Sequence, residues 1–250
     1  MRWRVRHLTR NGFWSLSLAT VTTLIAACAE TGDPAADRAA AETAESRFAE
    51  LEQRLLAAEN VLLRGGVGSA GAVISGLEGE IVVASGNRAH IQFAGEFGGT
   101  NVTPSLVADG EQMWGGNGTQ QFEVTAPPAL NDGILLGFTR MGILHNLALL
   151  SAATPPDGTD GKIRDWVAVS NFSWGEPETL DGVATETLRF DVTVHGTPAA
   201  EVVLWLDQQS GLPVQREQMV RFPDGDMRVV EVYETVELDA PFESEKFVIP

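Results

Sequence analysis

The residue with the most specific chemistry in this sequence is Cys28, the only cysteine among 250 residues. A single thiol cannot form an intramolecular disulfide. Cys28 directly follows a segment that has four arginines in its first ten residues, an uncharged and largely apolar run from 13 to 25, and a small-residue end, Ala26-Ala27. An apolar run of about 13 residues falls short of the roughly 20 that a membrane-spanning helix needs. The pattern therefore predicts an export signal over residues 1–27 rather than a transmembrane anchor.

The four residues Ile25-Ala26-Ala27-Cys28 resemble the lipobox of bacterial lipoproteins. This resemblance implies that a dedicated peptidase cuts before Cys28 after its thiol has received a diacylglyceryl group, so that the mature chain begins with a lipid anchor. The following residue is Ala29 and not aspartate, which by the same resemblance implies the periplasmic face of the outer membrane. No later stretch is apolar enough to span a bilayer, so we expect the rest of the chain to be held at a membrane surface.

The histidines and carboxylates do not form a pattern typical of an active site or a metal centre. His90 and His195 fall on the polar side of alternating segments, which predicts exposed side chains, whereas His145 lies on an apolar stripe at helical spacing, which predicts a core position. The sequence has no His-x-x-x-His pair, no cysteine pair, no Gly-x-Ser-x-Gly motif and no phosphate-binding loop. We therefore expect no enzymatic activity, no catalytic residue, no metal and no other cofactor.

The sequence is acidic, with 34 acidic residues, 17 basic residues and a net charge of −17. Four of the basic residues and none of the acidic ones lie in residues 1–27, so the remainder carries a net charge of −21. Such a charge repels phosphate backbones and anionic head groups, which argues against nucleic-acid binding and against membrane binding by charge alone. Acidic residues such as Glu231 and Glu234 are interpreted as solvated surface positions.

The order of local patterns predicts the fold class. Residues 28–37, which are mainly Ala, Asp, Thr, Gly and Pro, predict a flexible tether, and a single domain is expected over residues 38–250. Apolar residues at helical spacing predict one helix over residues 38–64 and a second over residues 130–150. Alternating segments and turn sequences predict antiparallel strands over residues 71–125 and from residue 188 to the end. This order predicts an α+β fold with helices packed on one face of a large, curved antiparallel sheet.

Four segments carry a resemblance to a known family. They are the hairpin from Gly79 to Ile91, the hairpin from Leu106 to Trp114 with its Asp109-Gly110 turn, the segment from Trp205 to Val214 with its Ser210-Gly211-Leu212-Pro213 turn, and the end from Tyr233 to Pro250. In this order around a central helix, they resemble the LolA/LolB superfamily of periplasmic lipoprotein carriers and related lipid-binding bacterial lipoproteins, over roughly residues 38–250. The resemblance implies a strongly curved sheet, a half-barrel, whose concave face is covered by helices.

The resemblance also implies a role for Arg88. Carrier members of the family use an arginine near the first hairpin to hold a helical lid, and Arg88 is the residue near the matching place. The proline that usually follows is replaced by Ala89. Arg88 is therefore the candidate lid contact.

A curved sheet that a helix closes incompletely would have an apolar cavity on its concave face, suited to acyl chains. Phenylalanine and methionine suit a pocket that accepts variable shapes. We therefore expect a lipoprotein that binds the acyl chains of a lipid or lipoprotein for trafficking in the cell envelope. The predicted lining residues are Ile91, Phe93, Phe97, Phe138, Met141, Leu144, Phe190, Val192 and Leu204.

The same residues are also compatible with an ordinary hydrophobic core. In that alternative the sheet is solidly packed and has no ligand cavity, and the protein is a non-enzymatic interaction or envelope-sensing module that docks on an envelope protein partner. The two hypotheses differ in whether the concave face of the sheet is filled or hollow.

Overall fold

The computed structural model describes residues 34–156, 163–223 and 225–250. In these ranges thirteen strands form one antiparallel sheet, in the order β7-β6-β5-β3-β2-β1-β13-β12-β11-β10-β8, with β4 beside β3 and β9 beside β10. The strands are β1 (Asn60–Gly71), β2 (Ser75–Ala84), β3 (Arg88–Phe97), β4 (Thr100–Val102), β5 (Ser105–Ala108), β6 (Gln112–Gly116), β7 (Gln121–Thr125), β8 (Val167–Trp174), β9 (Glu178–Leu180), β10 (Val183–Val194), β11 (Thr197–Asp207), β12 (Pro213–Phe222) and β13 (Gly225–Leu238).

The described helices lie between and before the strands. They are α1 (Pro34–Ala57), α2 (Leu130–Met141), α3 (Ile143–Ser151) and the short α4 (Ile163–Trp166), and a 3-10 turn follows the last strand at Ser244–Phe247. The predicted α+β class and the predicted large curved antiparallel sheet are confirmed.

The first helix differs from its predicted bounds at both ends. It begins at Pro34, inside the segment predicted as a tether, and it ends at Ala57, before the predicted end at residue 64. Residues from Asn60 onward belong to β1, which pairs with β2 on one side and with β13 on the other. Pairing on both sides satisfies the backbone hydrogen-bonding groups of this glycine-rich strand. This pairing outweighs the low intrinsic preference of glycine for strands.

The predicted central helix is two helices. Gly142 separates α2 from α3, and the axes of the two helices differ in direction by 116°. Among the described residues, no single helix has the length and apolar character to span a membrane, and the bent α2–α3 pair meets those criteria only when its two members are taken together.

The helices cover one face of the sheet, where the main core lies. In α1 the buried positions Ala44, Phe48, Leu51 and Leu55 recur at spacings of three and four, so they form one stripe. Phe48 packs on Phe190 of β10, with ring centroids 4.9 Å apart. Residues 35–43 of α1 are exposed or half-buried, so the buried stripe of the helix begins at Ala44.

The C-terminal segment covers part of the opposite face of the sheet. Phe247 packs against Val82 and Ala84 of β2 and against Leu62 of β1. The Lys246 ammonium group forms an ion pair with the Glu80 carboxylate, and the Lys246 carbonyl lies 3.0 Å from His90 Nδ1. His90 is therefore mostly buried, and the prediction that it is exposed is wrong, because the C-terminal segment lies over it.

Candidate functional site

An apolar cavity of about 280 Å³ lies between α3 and the ends of the neighbouring strands. One wall is formed by Leu144, His145 and Ala148, which lie on one face of α3. Met141, the last residue of α2, lies beside them. The cavity reaches the surface at Phe222, which is 44% exposed. The lining residues from strands and turns are Val73, Phe97, Val192, Val194, Ala199, Ala200, Gln218, Val220, Phe222 and Met227.

The structure brings four of the nine predicted lining residues to this cavity. They are Phe97, Met141, Leu144 and Val192. The other five, Ile91, Phe93, Phe138, Phe190 and Leu204, are at most 4% exposed and belong to the main core. These five residues are therefore packed in the core and do not line the cavity.

Several lining residues were not predicted. Val194, Val220 and Phe222 lie where β10 and β12 end, next to turns, and Val73 lies in the β1–β2 turn. The alternation of apolar residues along β10 continues to Val194, and this was an available signal. In β12 the positions before Val220 on the same face are Arg216 and Gln218, so the alternation gave no such signal there. The alternation of apolar and polar residues within a strand does not show which end of the sheet the helices leave uncovered. The position of the cavity therefore could not be predicted from the sequence.

Two polar side chains line the cavity, His145 and Gln218. The His145 ring lies 6.3 Å from the Trp166 ring, and Trp166 stacks on His195 with a centroid distance of 5.4 Å. His195 is exposed, as predicted, and His145 is half-buried at the cavity wall. The rest of the lining is apolar except for backbone groups, so the cavity is suited to hydrocarbon.

The break between α2 and α3 lies over two buried, oppositely charged side chains of the sheet. Arg216 of β12 and Glu231 of β13 are register partners and are 1% and 0% exposed. Arg216 donates through Nη1 to the carbonyl oxygen of Thr139 and through Nη2 to that of Arg140, both at 2.8 Å. The cation thus satisfies carbonyl groups at the C-terminal end of α2, where a positive charge is favoured.

The Glu231 carboxylate makes the complementary contact with α3. It accepts a hydrogen bond of 3.2 Å from the backbone N–H of Leu144, and the N–H of Ile143 also faces it. The Tyr233 hydroxyl donates to its other oxygen. An anion at the first turn of a helix satisfies N–H groups and complements the helix dipole. The interpretation of Glu231 as a solvated residue is wrong, because its partners belong to a helix distant in sequence.

Burial and the neighbouring charge shift the pKa of Arg216, and that of Glu231, in opposite directions. Burial lowers the pKa of Arg216, and the nearby Glu231 charge works against that effect. Burial raises the pKa of Glu231, while the Arg216 charge and the donors from Tyr233, Ile143 and Leu144 work to lower it. Burial and the neighbouring Glu231 raise the pKa of Tyr233 well above its ordinary value, so the phenol stays protonated and donates.

Gly142 is required at the break by its backbone geometry. Its φ of 83° and ψ of 176° belong to a region that is essentially restricted to glycine. A Cβ atom at this position would lie 2.4 Å from Glu231 Oε1. The glycine therefore lets the carboxylate approach the first turn of α3.

A buried ion pair ties α2 to α1. The Glu52 carboxylate accepts from Arg140 Nε at 2.8 Å and Arg140 Nη2 at 3.0 Å, and Thr139 Oγ1 donates to the same group at 3.0 Å. Arg140 also donates to the carbonyl oxygen of Val167 at 2.8 Å. The C-terminal end of α2 is thus held both by the sheet and by α1.

Arg88 does not contact α2 or α3 through any of its described interactions. Its guanidinium lies 5.1 Å from the ring centroid of Phe247 and 5.5 Å from that of Phe242, and its Nε donates to the Ser85 carbonyl oxygen at 3.0 Å. These contacts hold the C-terminal segment and not a helical lid. Cys28, the predicted lipidation site, lies outside the described residues.

In residues 34–156, 163–223 and 225–250, no group of three or more His, Cys, Asp or Glu side chains is arranged to hold a metal ion.

Comparison with known proteins gives matches among solved structures. No protein-family model matches the sequence, and no curated protein matches it. The Mycobacterium tuberculosis lipoprotein LppX matches with 12% identity and a TM-score of 0.41, over 78% of this chain and 99% of that one. A LolA superfamily protein from Nitrosomonas europaea matches with 9% identity and a TM-score of 0.35, over 82% and 97%. The complex of Pseudomonas aeruginosa MucA and MucB matches with 15% identity and a TM-score of 0.39, over 84% and 61%. The family that the sequence motifs resemble is thus represented among these structures.

Proposed function

We propose that this protein is a membrane-anchored lipoprotein of the cell envelope that binds an acyl chain of a lipid or lipoprotein in the cavity beside α3. The observation that carries the proposal is the lining of that cavity, in which His145 and Gln218 are the polar side chains among fourteen residues. Burial of hydrocarbon is favourable by about 0.8 kcal/mol for each methylene. About ten buried methylenes would therefore contribute roughly 8 kcal/mol before the cost of ordering the chain is subtracted.

The anchor belongs to the same proposal. Residues 1–27 would be an export signal and Cys28 the lipidated first residue of the mature chain, with residues up to the start of α1 as a tether. Six residues, 28 to 33, precede Pro34, and a chain of that length spans at most about 20 Å. The domain would thus stay close to the bilayer, at the periplasmic face of the outer membrane, where it takes part in lipid or lipoprotein trafficking.

The test is native mass spectrometry and lipid extraction on residues 29–250, exported behind a cleavable signal. We expect co-purified lipid, and we expect uptake of the fluorescent fatty acid dansyl-undecanoic acid. Ala148→Phe would fill the cavity from α3 and lower the probe affinity by at least about tenfold, or roughly 1.4 kcal/mol. Ala49→Phe, at an exposed position of α1, is the matched control and should bind like the wild type.

A second function is supported by the filled part of the concave face. Ile91, Phe93, Phe138, Phe190 and Leu204 form a dense core, as the alternative without a ligand predicts. In that case the protein is a non-enzymatic interaction or sensing module with an envelope protein as its partner. A wild-type protein that carries no lipid and takes up no dansyl-undecanoic acid would refute the acyl-chain proposal and favour this module.

A further inference from the structure

We propose that the Arg216–Glu231 pair is a positioning device that fixes α3 as the wall of the cavity and thereby restricts the cavity to a single acyl chain. The restriction to one chain rests on the proposed function. The fixing of α3 does not, because it follows from contacts within the protein.

The first step of the argument is that the pair contacts both helices at their break. Arg216 donates to the carbonyl oxygens of Thr139 and Arg140 at the end of α2, and Glu231 accepts from Leu144 at the start of α3. Both charged residues come from neighbouring strands at paired positions. The end of α2 and the start of α3 are therefore held at one point of the rigid sheet.

The second step is that the contacted residues border the cavity. Met141 and Leu144, which flank Gly142 and Ile143, are lining residues, and His145 and Ala148 continue the same face of α3. Gln218, another lining residue, accepts hydrogen bonds from Arg216 Nη2 at 3.0 Å and Nε at 3.2 Å. The pair and the cavity thus share a wall, and a shift of α3 would change the width of the cavity.

The third step concerns size. A volume of about 280 Å³ lies at the lower end of the range of about 300–1,000 Å³ that is typical of small-molecule pockets. With α3 held in place, this volume admits one hydrocarbon chain and excludes the paired chains of a diacyl lipid. The ligand class that fits is therefore a single-chain amphiphile.

The test compares two double variants of the full chain. Arg216→Met with Glu231→Leu removes both buried charges together, so no unpaired charge remains in the core. Arg228→Met with Glu217→Leu removes an exposed pair from the same two strands on the other face of the sheet, and it is the matched control. Each protein is titrated with dansyl-undecanoic acid and with a fluorescent diacyl phosphatidylcholine, and amide hydrogen exchange is followed in residues 143–150.

For the wild type and the control, we expect at least tenfold preference for the single-chain probe and slow exchange in α3. For the Arg216 and Glu231 double variant, we expect that preference to fall at least tenfold and exchange in α3 to accelerate, with exchange in α1 unchanged.

Unchanged exchange in α3 of the folded double variant would overturn the positioning role, and faster exchange with an unchanged preference would overturn the size restriction. If the wild type binds neither probe, the proposed function fails, while the exchange of α3 still decides the positioning role. Should the double variant not fold, Gly142→Ala, which displaces the Glu231 carboxylate with both charges present, is measured in its place with the same expectations.

Discussion

Substitution of Gly142 by alanine tests the geometry of the helix break directly. The native φ and ψ of 83° and 176° would cost alanine about 1–3 kcal/mol. The added Cβ would meet Glu231 Oε1 at 2.4 Å, so the carboxylate must move away from the Leu144 N–H. A buried donor without its partner costs a further 1–3 kcal/mol or so. We expect Gly142→Ala to lower the free energy of unfolding by about 2–6 kcal/mol.

The matched control is Gly137→Ala in the middle of α2. A Cβ there would lie 3.4 Å from Asn146 Nδ2 and 3.7 Å from Ile163 Cδ1, which is ordinary contact for atoms at the ends of side chains. Alanine is favoured over glycine inside a helix by about 1 kcal/mol. Gly137→Ala should therefore be neutral or stabilising, so the same substitution five residues apart has opposite effects.

The assay is urea unfolding of both variants and the wild type, followed by circular dichroism, with the thermal midpoint as a second measure. A chain of this size loses about 2–4 °C in Tm for each kcal/mol, so Gly142→Ala should lower the Tm by at least about 4 °C. Equal midpoints for Gly142→Ala and Gly137→Ala would refute the reasoning, because they would show that neither the backbone angle nor the Glu231 contact matters for stability.

Three further predictions concern the contacts that hold the helices and the C-terminal segment. Glu52→Ala leaves the largely buried Arg140 guanidinium without its carboxylate. We therefore expect the free energy of unfolding, measured in urea, to fall by about 3–5 kcal/mol. A decrease below about 1 kcal/mol would contradict this prediction. Burial raises the pKa of Glu80, but hydrogen bonds from Lys246 and Arg64 outweigh it and the pKa is lowered from 4.5. The stabilisation from Glu80 is therefore complete above about pH 4.5 and lost as the pH falls through the lowered pKa. The unfolding midpoints of the wild type and Glu80→Gln should therefore converge at acid pH. A difference between the two midpoints that stays constant with pH would contradict this prediction. Phe247→Ala should cost about 3 kcal/mol or more because the ring is buried, whereas truncation of the exposed Val248 should change the stability by less than about 0.5 kcal/mol.

Much of the fold could be predicted from local patterns. The alternation of Leu188, Phe190 and Val192 with polar residues placed β10, and the Asp109-Gly110 turn correctly joined β5 to β6. These signals are local, since a strand that is covered on one face alternates with a period of two. The bounds of α1 and β1 were missed because β1 is glycine-rich, and its structure depends on pairing with β13 at the other end of the chain.

The site was harder to predict because its key residues act across long separations in sequence. Arg216 and Glu231 occupy core-facing positions of β12 and β13, where the alternation of apolar and polar residues predicts apolar side chains. Their burial is explained by the carbonyl and N–H groups at the break between α2 and α3, some 75 to 90 positions earlier in the chain. Nothing in the sequence near Gly142 shows that Arg216 and Glu231 of the sheet bind the backbone groups at the break between the two helices.

The pairing of β1 with β13 has a consequence for how the chain folds. Strands β2 to β7 and β8 to β12 follow one another as neighbours along each half of the sheet, but the seam between the halves joins the first strand to the last. Contacts between segments so far apart in sequence form slowly, because a long loop must close first. A chain synthesised or exported from its N-terminus therefore exposes the unpaired edge of β1 until its final strand arrives. Open strand edges promote association between chains, so the interval before the seam closes is when this protein is most dependent on protection from aggregation.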